Sequence, residues 1–228
     1  FDPPLLTPLG VRASALAVAD FNGDQRQDVA VTYLGPPDAA EDPGGLLLLW
    51  GDGDGTFDAT VAYSPGTRPV AVEAGNFDED PAADLAVLNL GSGNVSVFAN
   101  DGLGTLTVSG SAYAFGWPTQ LVQGDLNADG LPDLVVSRSL TSTVGVFLGV
   151  GNGTFSSAVS RYTGQRPAGI ALGLADGNAT VDIVVALAGE GEVVTLAGDG
   201  LGEFAYPLST IVGGDPNLLV AERFTADP

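Results

Sequence analysis

A glycine-rich motif returns four times along this chain at a constant step. Its copies end in Phe57, Leu106, Phe155 and Phe204, and successive copies are 49 residues apart. Four prolines, Pro69, Pro118, Pro167 and Pro216, repeat with the same 49-residue step. A fixed period of this length is the signature of a tandem array of one small structural unit. The chain is therefore expected to fold as a series of similar units.

Each unit contains four short apolar runs separated by turn residues. In the first unit the runs are Ala13 to Ala19, Asp28 to Tyr33, Leu46 to Trp50 and Ala59 to Tyr63. The second run is apolar almost throughout, as expected of a strand buried on both faces. The 33 Gly and 15 Pro are spread at intervals that suit turns. A four-stranded unit repeated radially predicts an all-β protein, a β-propeller of four-stranded blades.

The repeat also sets the expected boundaries. We predict a single propeller domain or fragment over 1–228, with an outer strand, four complete blades and the inner strand of a further blade. These segments are 1–10, then 11–66, 67–115, 116–164 and 165–213 for the blades, then 214–228. The first blade carries an insertion at 35–45, which reads as a surface loop. The lone end strands belong either to one split closing blade or to a larger propeller.

Three nine-residue stretches between the first and second runs carry side-chain oxygens at offsets 1, 3, 5 and 9. We call residues 20–28, 76–84 and 125–133 cages 1, 2 and 3. Their side chains are Asp20, Asn22, Asp24 and Asp28; Asn76, Asp78, Asp80 and Asp84; and Asp125, Asn127, Asp129 and Asp133. The carbonyl at offset 7 belongs to Arg26, Ala82 or Leu131. Such a set of hard oxygen ligands is the one that Ca²⁺ prefers.

The alternative for these cages is that Asp and Asn only close turns by accepting hydrogen bonds from nearby amides. Clustered carboxylates repel one another unless a cation neutralises them, which favours the metal interpretation. In the fourth unit Leu174 stands at offset 1, where it cannot bind an ion. We therefore expect three calcium sites and no ion in the loop 174–182.

Composition narrows the possible functions. The formal net charge is −21, all seven basic residues are Arg, and this argues against duplex nucleic acid as a partner. No apolar run is long enough to span a bilayer, so we expect no direct membrane insertion. The chain has no His and no Cys, which excludes a His-based triad, a thiol nucleophile and the usual zinc site. Ten of the 28 acidic residues lie in the cages, where a bound cation would hold them ionised and unsuited to acid catalysis, so we expect no enzyme.

Arg12, Arg68 and Arg166 occupy the same place in their units, just before an inner strand. Trp117 and Asp215 take this place in the other units. One interpretation is an anion or glycan subsite made of guanidinium forks and a stacking ring. The other is that each Arg pairs with a neighbouring carboxylate. Elsewhere, Trp50 ends a third strand and is expected to pack in the core.

These motifs resemble FG-GAP/VCBS repeats, the family that includes the propeller of integrin α subunits. The resemblance rests on Asp20–Asp24, Asp125–Asp133 and Gly-Asp-Gly-Thr-Phe57. It implies a calcium-binding β-propeller, usually of about seven blades, with the cage residues above as ligands.

The family resemblance further implies a protein of the extracellular space, cell surface or periplasm. There it would act in adhesion or in interaction with a protein or glycan partner, with a structural role for calcium. Two other functions stay open: a lectin-like glycan-binding propeller, and a non-catalytic scaffold domain of a larger secreted enzyme.

Overall fold

A computed structural model describes residues 5–35, 43–217 and 219, and the elements found there are strands and turns. Sixteen strands form four antiparallel sheets of four strands each, and each sheet uses strands that are consecutive in the chain. The predicted all-β propeller architecture with four complete blades is confirmed. Within the described residues, no helix is long and apolar enough to cross a membrane.

The strands of each blade are numbered from the innermost to the outermost. Blade 1 comprises β1 (Arg12–Ala19), β2 (Asp28–Leu34), β3 (Gly45–Gly51) and β4 (Phe57–Tyr63). Blade 2 comprises β5 (Pro69–Gly75), β6 (Asp84–Asn89), β7 (Asn94–Asn100) and β8 (Leu106–Tyr113). Blade 3 comprises β9 (Pro118–Gly124), β10 (Asp133–Arg138), β11 (Thr143–Phe147) and β12 (Val159–Tyr162). Blade 4 comprises β13 (Pro167–Gly173), β14 (Asp182–Leu187), β15 (Glu192–Leu196) and β16 (Leu208–Ile211).

Burial follows the position of a strand within its blade. Every residue of β6 and of β10 is buried, as the apolar second runs predict. Every residue of the outermost strand β16 is exposed. An inner or second strand packs against neighbouring blades on both faces, whereas an outer strand has a free edge. The blades are therefore held together chiefly through their inner halves.

Three apolar cores fill the spaces between successive blades. Phe21 and Leu48 pack with residues of blade 2 such as Leu85. Blades 2 and 3 share the core that contains Leu88 and Phe147, and a third core joins blades 3 and 4. Full burial of one Leu or Phe side chain stabilises a fold by about 1.5–3 kcal/mol. These cores fix each blade, and hence each cage, relative to the next.

The four inner strands contact one another in chain order, β1 with β5, β5 with β9 and β9 with β13. Because each sheet is an antiparallel meander, its loops fall on two opposite faces. We call one the cage face: it carries the loops between first and second strands and the glycine-rich turns between third and fourth strands. We call the other the connection face: it carries the turns between second and third strands and the links from blade to blade.

The predicted end strands and the insertion fall largely outside the described residues. Residues 5–10 contain no strand, and residues 1–4 are not described. Of the segment 214–228, predicted to form the last inner strand, residues 218 and 220–228 also lie outside the description. The same holds for residues 36–42, which carry the acidic side chains of the insertion.

Blade 1 has one face with no neighbouring blade among the described residues. Leu16 and Val18 on β1 are 65% and 50% exposed, whereas Val72, which takes the place of Leu16 in blade 2, is only 4% exposed. Val72 is covered by blade 1, and no described element covers Leu16 in the same way.

Candidate metal sites

The three cages lie side by side on the cage face, each joining the inner strand of a blade to its second strand. The chain turns sharply at offset 4, where Gly23, Glu79 and Ala128 have φ of 75°, 66° and 59°. This left-handed conformation is uncommon for residues other than Gly. In cage 2 this turn brings the carboxylates at offsets 3 and 5 close to the carboxylate at offset 9.

Side chains at offsets 3 and 5 accept hydrogen bonds from the amide two residues further on. In cage 1, Asn22 Oδ1 accepts from Asp24 N at 2.9 Å and Asp24 Oδ1 from Arg26 N at 2.8 Å. Asp78 and Asp80 form the same bonds in cage 2, and Asn127 and Asp129 in cage 3. The turn-closing role is therefore present, and it uses one oxygen of each carboxylate at these offsets. In cage 3 the other oxygen of Asp129 also accepts a hydrogen bond, from Asn127 Nδ2 at 2.8 Å.

The final Asp of each loop joins two strands to the loop itself. Asp84 is fully buried, and its Oδ2 accepts from Phe77 N at 2.8 Å while its Oδ1 accepts from Asn100 N at 2.9 Å. Asp28 and Asp133 form the equivalent pairs of bonds. Each oxygen keeps a second lone pair that could face an ion.

An apolar side chain at offset 2 anchors each cage between two blades, a role that the ligand spacing does not reveal. Phe21, Phe77 and Leu126 are at most 2% exposed. The adjoining backbone contacts the next blade, because Asn100 Nδ2 donates to Phe21 O at 2.9 Å and Gly153 N donates to Phe77 O at 2.8 Å. The recurrence of a large apolar residue directly after the first ligand is the signal that could have predicted this anchor.

Cage 2 gathers the densest negative charge. One carboxylate oxygen from each of Asp78, Asp80 and Asp84 lies within 4.8 Å of the others. Burial raises the pKa of Asp84, and the charges of Asp78 and Asp80 raise it further, against the opposing effect of its two amide bonds. Asn76 donates from Nδ2 to the carbonyl of Asp80, which leaves its own oxygen free. An all-oxygen set around three crowded carboxylates suits a divalent hard cation.

Cage 3 contains a buried carboxylate oxygen with no hydrogen-bond partner. Oδ1 of Asp125 is this oxygen, whereas its Oδ2 accepts from Gly130 N at 3.0 Å. Burial raises the pKa of Asp133 in the same cage, and the charges of Asp129 and Asp125 add to that effect. A buried anionic oxygen without a partner is costly unless a cation or water satisfies it. The residues of cage 3 therefore also fit a calcium ion.

Cages 1 and 3 do not draw three carboxylates as close together as cage 2 does. In cage 1, Asp20 Oδ1 and Oδ2 accept from Gly23 N at 2.7 Å and Gln25 N at 2.8 Å, which turns this carboxylate toward the loop backbone. The residues whose carbonyls are predicted to bind the ion also contact the carboxylate at offset 5. Each donates its backbone N–H to that carboxylate; they are Arg26, Ala82 and Leu131.

The fourth loop keeps the turn but lacks the first ligand. Leu174 is 60% exposed. Asp182 nevertheless accepts from Ala175 N at 2.6 Å, Asp176 N at 3.0 Å and Gly198 N at 2.9 Å. The final Asp therefore organises the loop whether or not the first ligand position is kept.

The structure also shows the burial and the ion pairing of the tryptophans and arginines that the sequence analysis named. Trp50 packs against the core between blades 1 and 2, as predicted. Arg12, Arg68 and Arg166 are exposed, and so is Trp117. The described residues contain one ion pair, between Arg161 and Glu203. In this part of the chain the three arginines thus lack the carboxylate partners that one interpretation required.

The FG-GAP-like repeat family matches residues 20–87, 76–136 and 125–185, which together cover more than half of the chain. The chain belongs to the FG-GAP-like repeat family. Each match starts at the first ligand position of a cage and runs beyond the next loop, so the FG-GAP unit spans neighbouring blades. No curated protein matches the chain.

Several solved structures share the fold of this FG-GAP protein. BBS1N in complex with ARL6DN has a TM-score of 0.60 at 15% identity over 98% of this chain and 60% of that one. An Agrocybe aegerita lectin that recognises non-reducing terminal N-acetylglucosamine has a TM-score of 0.57 at 19% identity, over 84% and 50%. A functionally unknown protein from Desulfotomaculum acetoxidans has a TM-score of 0.62 at 15% identity, over 92% and 58%. The chain thus spans between half and three fifths of these structures, and such identities establish the fold alone.

Proposed function

We propose that this chain is a calcium-stabilised β-propeller module of a protein in the extracellular space, at the cell surface or in the periplasm. It acts in adhesion or in interaction with a protein or glycan partner, and it is not an enzyme. Calcium is structural: each ion ties the end of an inner strand to the start of the next strand of the same blade. The absence of His and Cys from the sequence supports a binding role over a catalytic one.

The observation that carries the proposal is the carboxylate cluster of Asp78, Asp80 and Asp84. Two unit charges about 4 Å apart repel by about 4 kcal/mol at an effective dielectric constant of about 20. A folded loop that holds three such charges together gains stability from a divalent cation. The unpartnered Oδ1 of Asp125 supports a second ion in cage 3, and cage 1 has the same ligand spacing.

Calorimetric calcium titration of the whole chain tests this function, together with melting curves in calcium and in chelator. The variants are Asp24→Ala, Asp80→Ala and Asp129→Ala, one for each cage. Asp176→Ala is the matched control, since it removes one carboxylate from the loop that begins with Leu174. We expect three sites in the wild-type chain, one fewer in each cage variant and an unchanged number in the control.

The melting curves check the structural role separately. Calcium that binds only the folded chain stabilises it by about 2.7 kcal/mol per site when its free concentration is about 100 times the dissociation constant. For a chain of this length, 1 kcal/mol corresponds to about 2–4 °C. A melting temperature that is the same in calcium and in chelator would contradict the proposal.

Two other functions remain candidates. The cluster of exposed aromatic side chains at Tyr113, Phe115 and Trp117 favours a lectin-like glycan-binding propeller. A non-catalytic scaffold domain of a larger secreted enzyme would bind calcium equally well but would recognise no partner through its connection face.

A further inference from the structure

The residue directly before an inner strand has a left-handed backbone conformation in blades 2, 3 and 4. These residues are Arg68, Trp117 and Arg166. Their φ angles are 53°, 61° and 54°, and a proline follows each of them. The carbonyl of each accepts an N–H from the turn after the second strand, at 2.9 Å from Leu90, 3.2 Å from Ser139 and 3.1 Å from Ala188. Left-handed backbone costs energy for a bulky residue and invites a functional explanation. All three side chains are exposed on the connection face.

Hydrogen bonds between blades bring these positions together. Ser14 Oγ donates to Pro69 O at 2.8 Å, which sets the start of β1, and hence Arg12, beside Arg68. Thr119 Oγ1 donates to Pro167 O at 3.4 Å, which sets Trp117 beside Arg166. The arginines and the tryptophan thus follow one another around a common rim.

Flat aromatic rings extend this rim outward. Tyr113 and Phe115 stack with their ring centroids 5.2 Å apart and an interplanar angle of 4°. Their side chains are 70% and 66% exposed, and Trp117 is 56% exposed. Side chains of this size are normally buried, and a group of them in water marks an interaction site. The negative faces of such rings attract the weakly positive C–H groups of a sugar ring.

In blades 2 and 3 the loop carboxylates are confined to the cage face. Between Asp84 and Asp176 the only carboxylates are Asp101, Asp125, Asp129 and Asp133. All four lie on the cage face, so the connection face of blades 2 and 3 has no carboxylate. The described residues provide no ion-pair partner for Arg12, Arg68 or Arg166. The described acidic residues of the connection face, Glu190, Glu192 and Asp215, belong to the region of blade 4 and beyond it.

We propose that the surface formed by Arg12, Arg68, Tyr113, Phe115, Trp117 and Arg166 binds an anionic polysaccharide. We call these six residues the rim surface. Guanidinium groups bind carboxylate or sulfate groups through paired hydrogen bonds, and the aromatic rings stack on the sugar. Duplex DNA carries one charge per about 1.7 Å of its axis, far denser than a polysaccharide with one carboxylate per disaccharide, so a chain of net charge −21 repels it more strongly. This inference rests on the proposed interaction function and names its ligand class and its surface.

The test measures binding of the whole chain to immobilised polysaccharides in calcium, at low and at moderate salt. Hyaluronan presents carboxylates, dextran sulfate presents sulfates, neutral dextran is the uncharged control, and duplex DNA is a polyanion without sugar rings exposed for stacking. The variants are Arg68→Gln, Arg166→Gln and Trp117→Ala. Arg161→Gln is the matched control because it removes the same charge from β12, away from the rim surface. Melting curves verify that each variant is folded.

We expect binding to at least one anionic polysaccharide and none to neutral dextran. Each rim variant should weaken this binding about tenfold, the usual effect of one lost charge-assisted bond or aromatic stack. The control Arg161→Gln should bind as the wild-type chain does. A preference for hyaluronan or for dextran sulfate tells whether carboxylate or sulfate is recognised.

Three results overturn the inference: no binding to either anionic polysaccharide, an equal loss in Arg161→Gln, or equally strong binding to duplex DNA. The calcium titration keeps this failure separate from failure of the proposed function. Calcium sites without polysaccharide binding refute the rim surface alone. Polysaccharide binding without calcium sites refutes the calcium module and retains the rim surface.

Discussion

The buried aspartate that ends each loop offers a direct separation of folding from calcium binding. Asp182 ends the loop that lacks the first ligand, whereas Asp84 ends cage 2, and both are fully buried and bonded to backbone amides. We predict that Asp182→Asn destabilises the chain equally in calcium and in chelator. Asp84→Asn should cost more in calcium than in chelator, because it also removes a ligand.

The magnitudes follow from the hydrogen bonds. Replacing one carboxylate oxygen by an amide NH₂ turns a donor toward a buried N–H, and an unsatisfied buried donor costs about 1–3 kcal/mol. The lost bond was also assisted by charge, so we expect about 2–4 kcal/mol for Asp182→Asn. This corresponds to a melting temperature lower by about 4–16 °C. In chelator Asp84→Asn should cost less than that, since it relieves repulsion from Asp78 and Asp80.

In saturating calcium the cost of Asp84→Asn should rise by up to about 2.7 kcal/mol, the stabilisation lost when one site no longer binds. Thermal melting of the wild-type chain and both variants, each in calcium and in chelator, measures all of these differences. The reasoning is refuted if Asp182→Asn melts with the wild-type chain. It is also refuted if both variants respond to calcium equally.

Three further predictions concern stability. Burial raises the pKa of Glu73 to about 7 from its ordinary value of 4.5. Between these two pH values the folded chain keeps a proton that the unfolded chain loses, so stability falls as pH rises from 4.5 to about 7. Glu73→Gln should remove that decline and stabilise the chain by about 1–2 kcal/mol at pH values above 7, after allowance for solvent screening; melting curves across this range that run parallel for both chains would contradict it. Arg138 is 7% exposed and its buried Nε has no partner. Arg138→Met should therefore leave stability in urea denaturation unchanged or raise it, despite the lost hydrogen bond to Ser160. A loss of stability above about 2 kcal/mol would refute this. Gly104 has a φ of 86°, and a Cβ at this position would collide with the ring of Trp50. Gly104→Ala should therefore lower stability by about 2–4 kcal/mol in the same assay, whereas wild-type stability would show that the loop relaxes freely.

The architecture followed from the repeat because period and apolar runs together specify a blade. The predicted first strand, Ala13 to Ala19, differs from β1 by one residue, and the predicted third strand, Leu46 to Trp50, lies within β3. Neighbouring strands of a meander need only short turns, and these glycine-rich turns were visible in the sequence. Local pattern and global fold therefore agree throughout the described blades.

The finer geometry of the cages did not follow from spacing. Equal offsets predicted three equivalent sites, but three carboxylates come within 4.8 Å only in cage 2 among the described residues. Cage 2 has the neutral Asn76 at offset 1 and a carboxylate, Asp78, at offset 3. In cage 1 the carboxylate stands at offset 1 instead, and this residue, Asp20, accepts hydrogen bonds from the loop amides. Which amide captures an oxygen depends on backbone angles that the ligand pattern does not contain.

The buried Arg138 had no signal in the sequence. Its place is taken by Tyr33, Asn89 and Leu187 in the other blades, so the repeat predicts no particular chemistry there. Its guanidinium lies over the ring of Phe147, 5.4 Å from the ring centroid. The space that it occupies exists because residue 145 is Gly, and a Cβ at that position would collide with the guanidinium. Only the packed structure joins these two residues.

The separation of the cages from the rim surface predicts how calcium and polysaccharide binding are coupled. Calcium in three cages would change the formal net charge of −21 by about six units toward zero. The inner strand β9 has seven residues, so the two faces lie roughly 20 Å apart at about 3.3 Å per residue. The Debye length is about 8 Å at physiological ionic strength and about 30 Å at about 0.01 M.

Calcium should therefore strengthen binding of hyaluronan or dextran sulfate at low salt and have little effect on it at physiological salt. Titration of the folded chain with each polysaccharide, with and without calcium at both ionic strengths, measures this coupling. Strontium, which has the same charge, should replace calcium at low salt if it fills the cages. If calcium instead enhances binding strongly at physiological salt, simple charge neutralisation is insufficient. The ions must then order the rim surface through the inner strands. In that case removal of calcium by chelator should abolish polysaccharide binding.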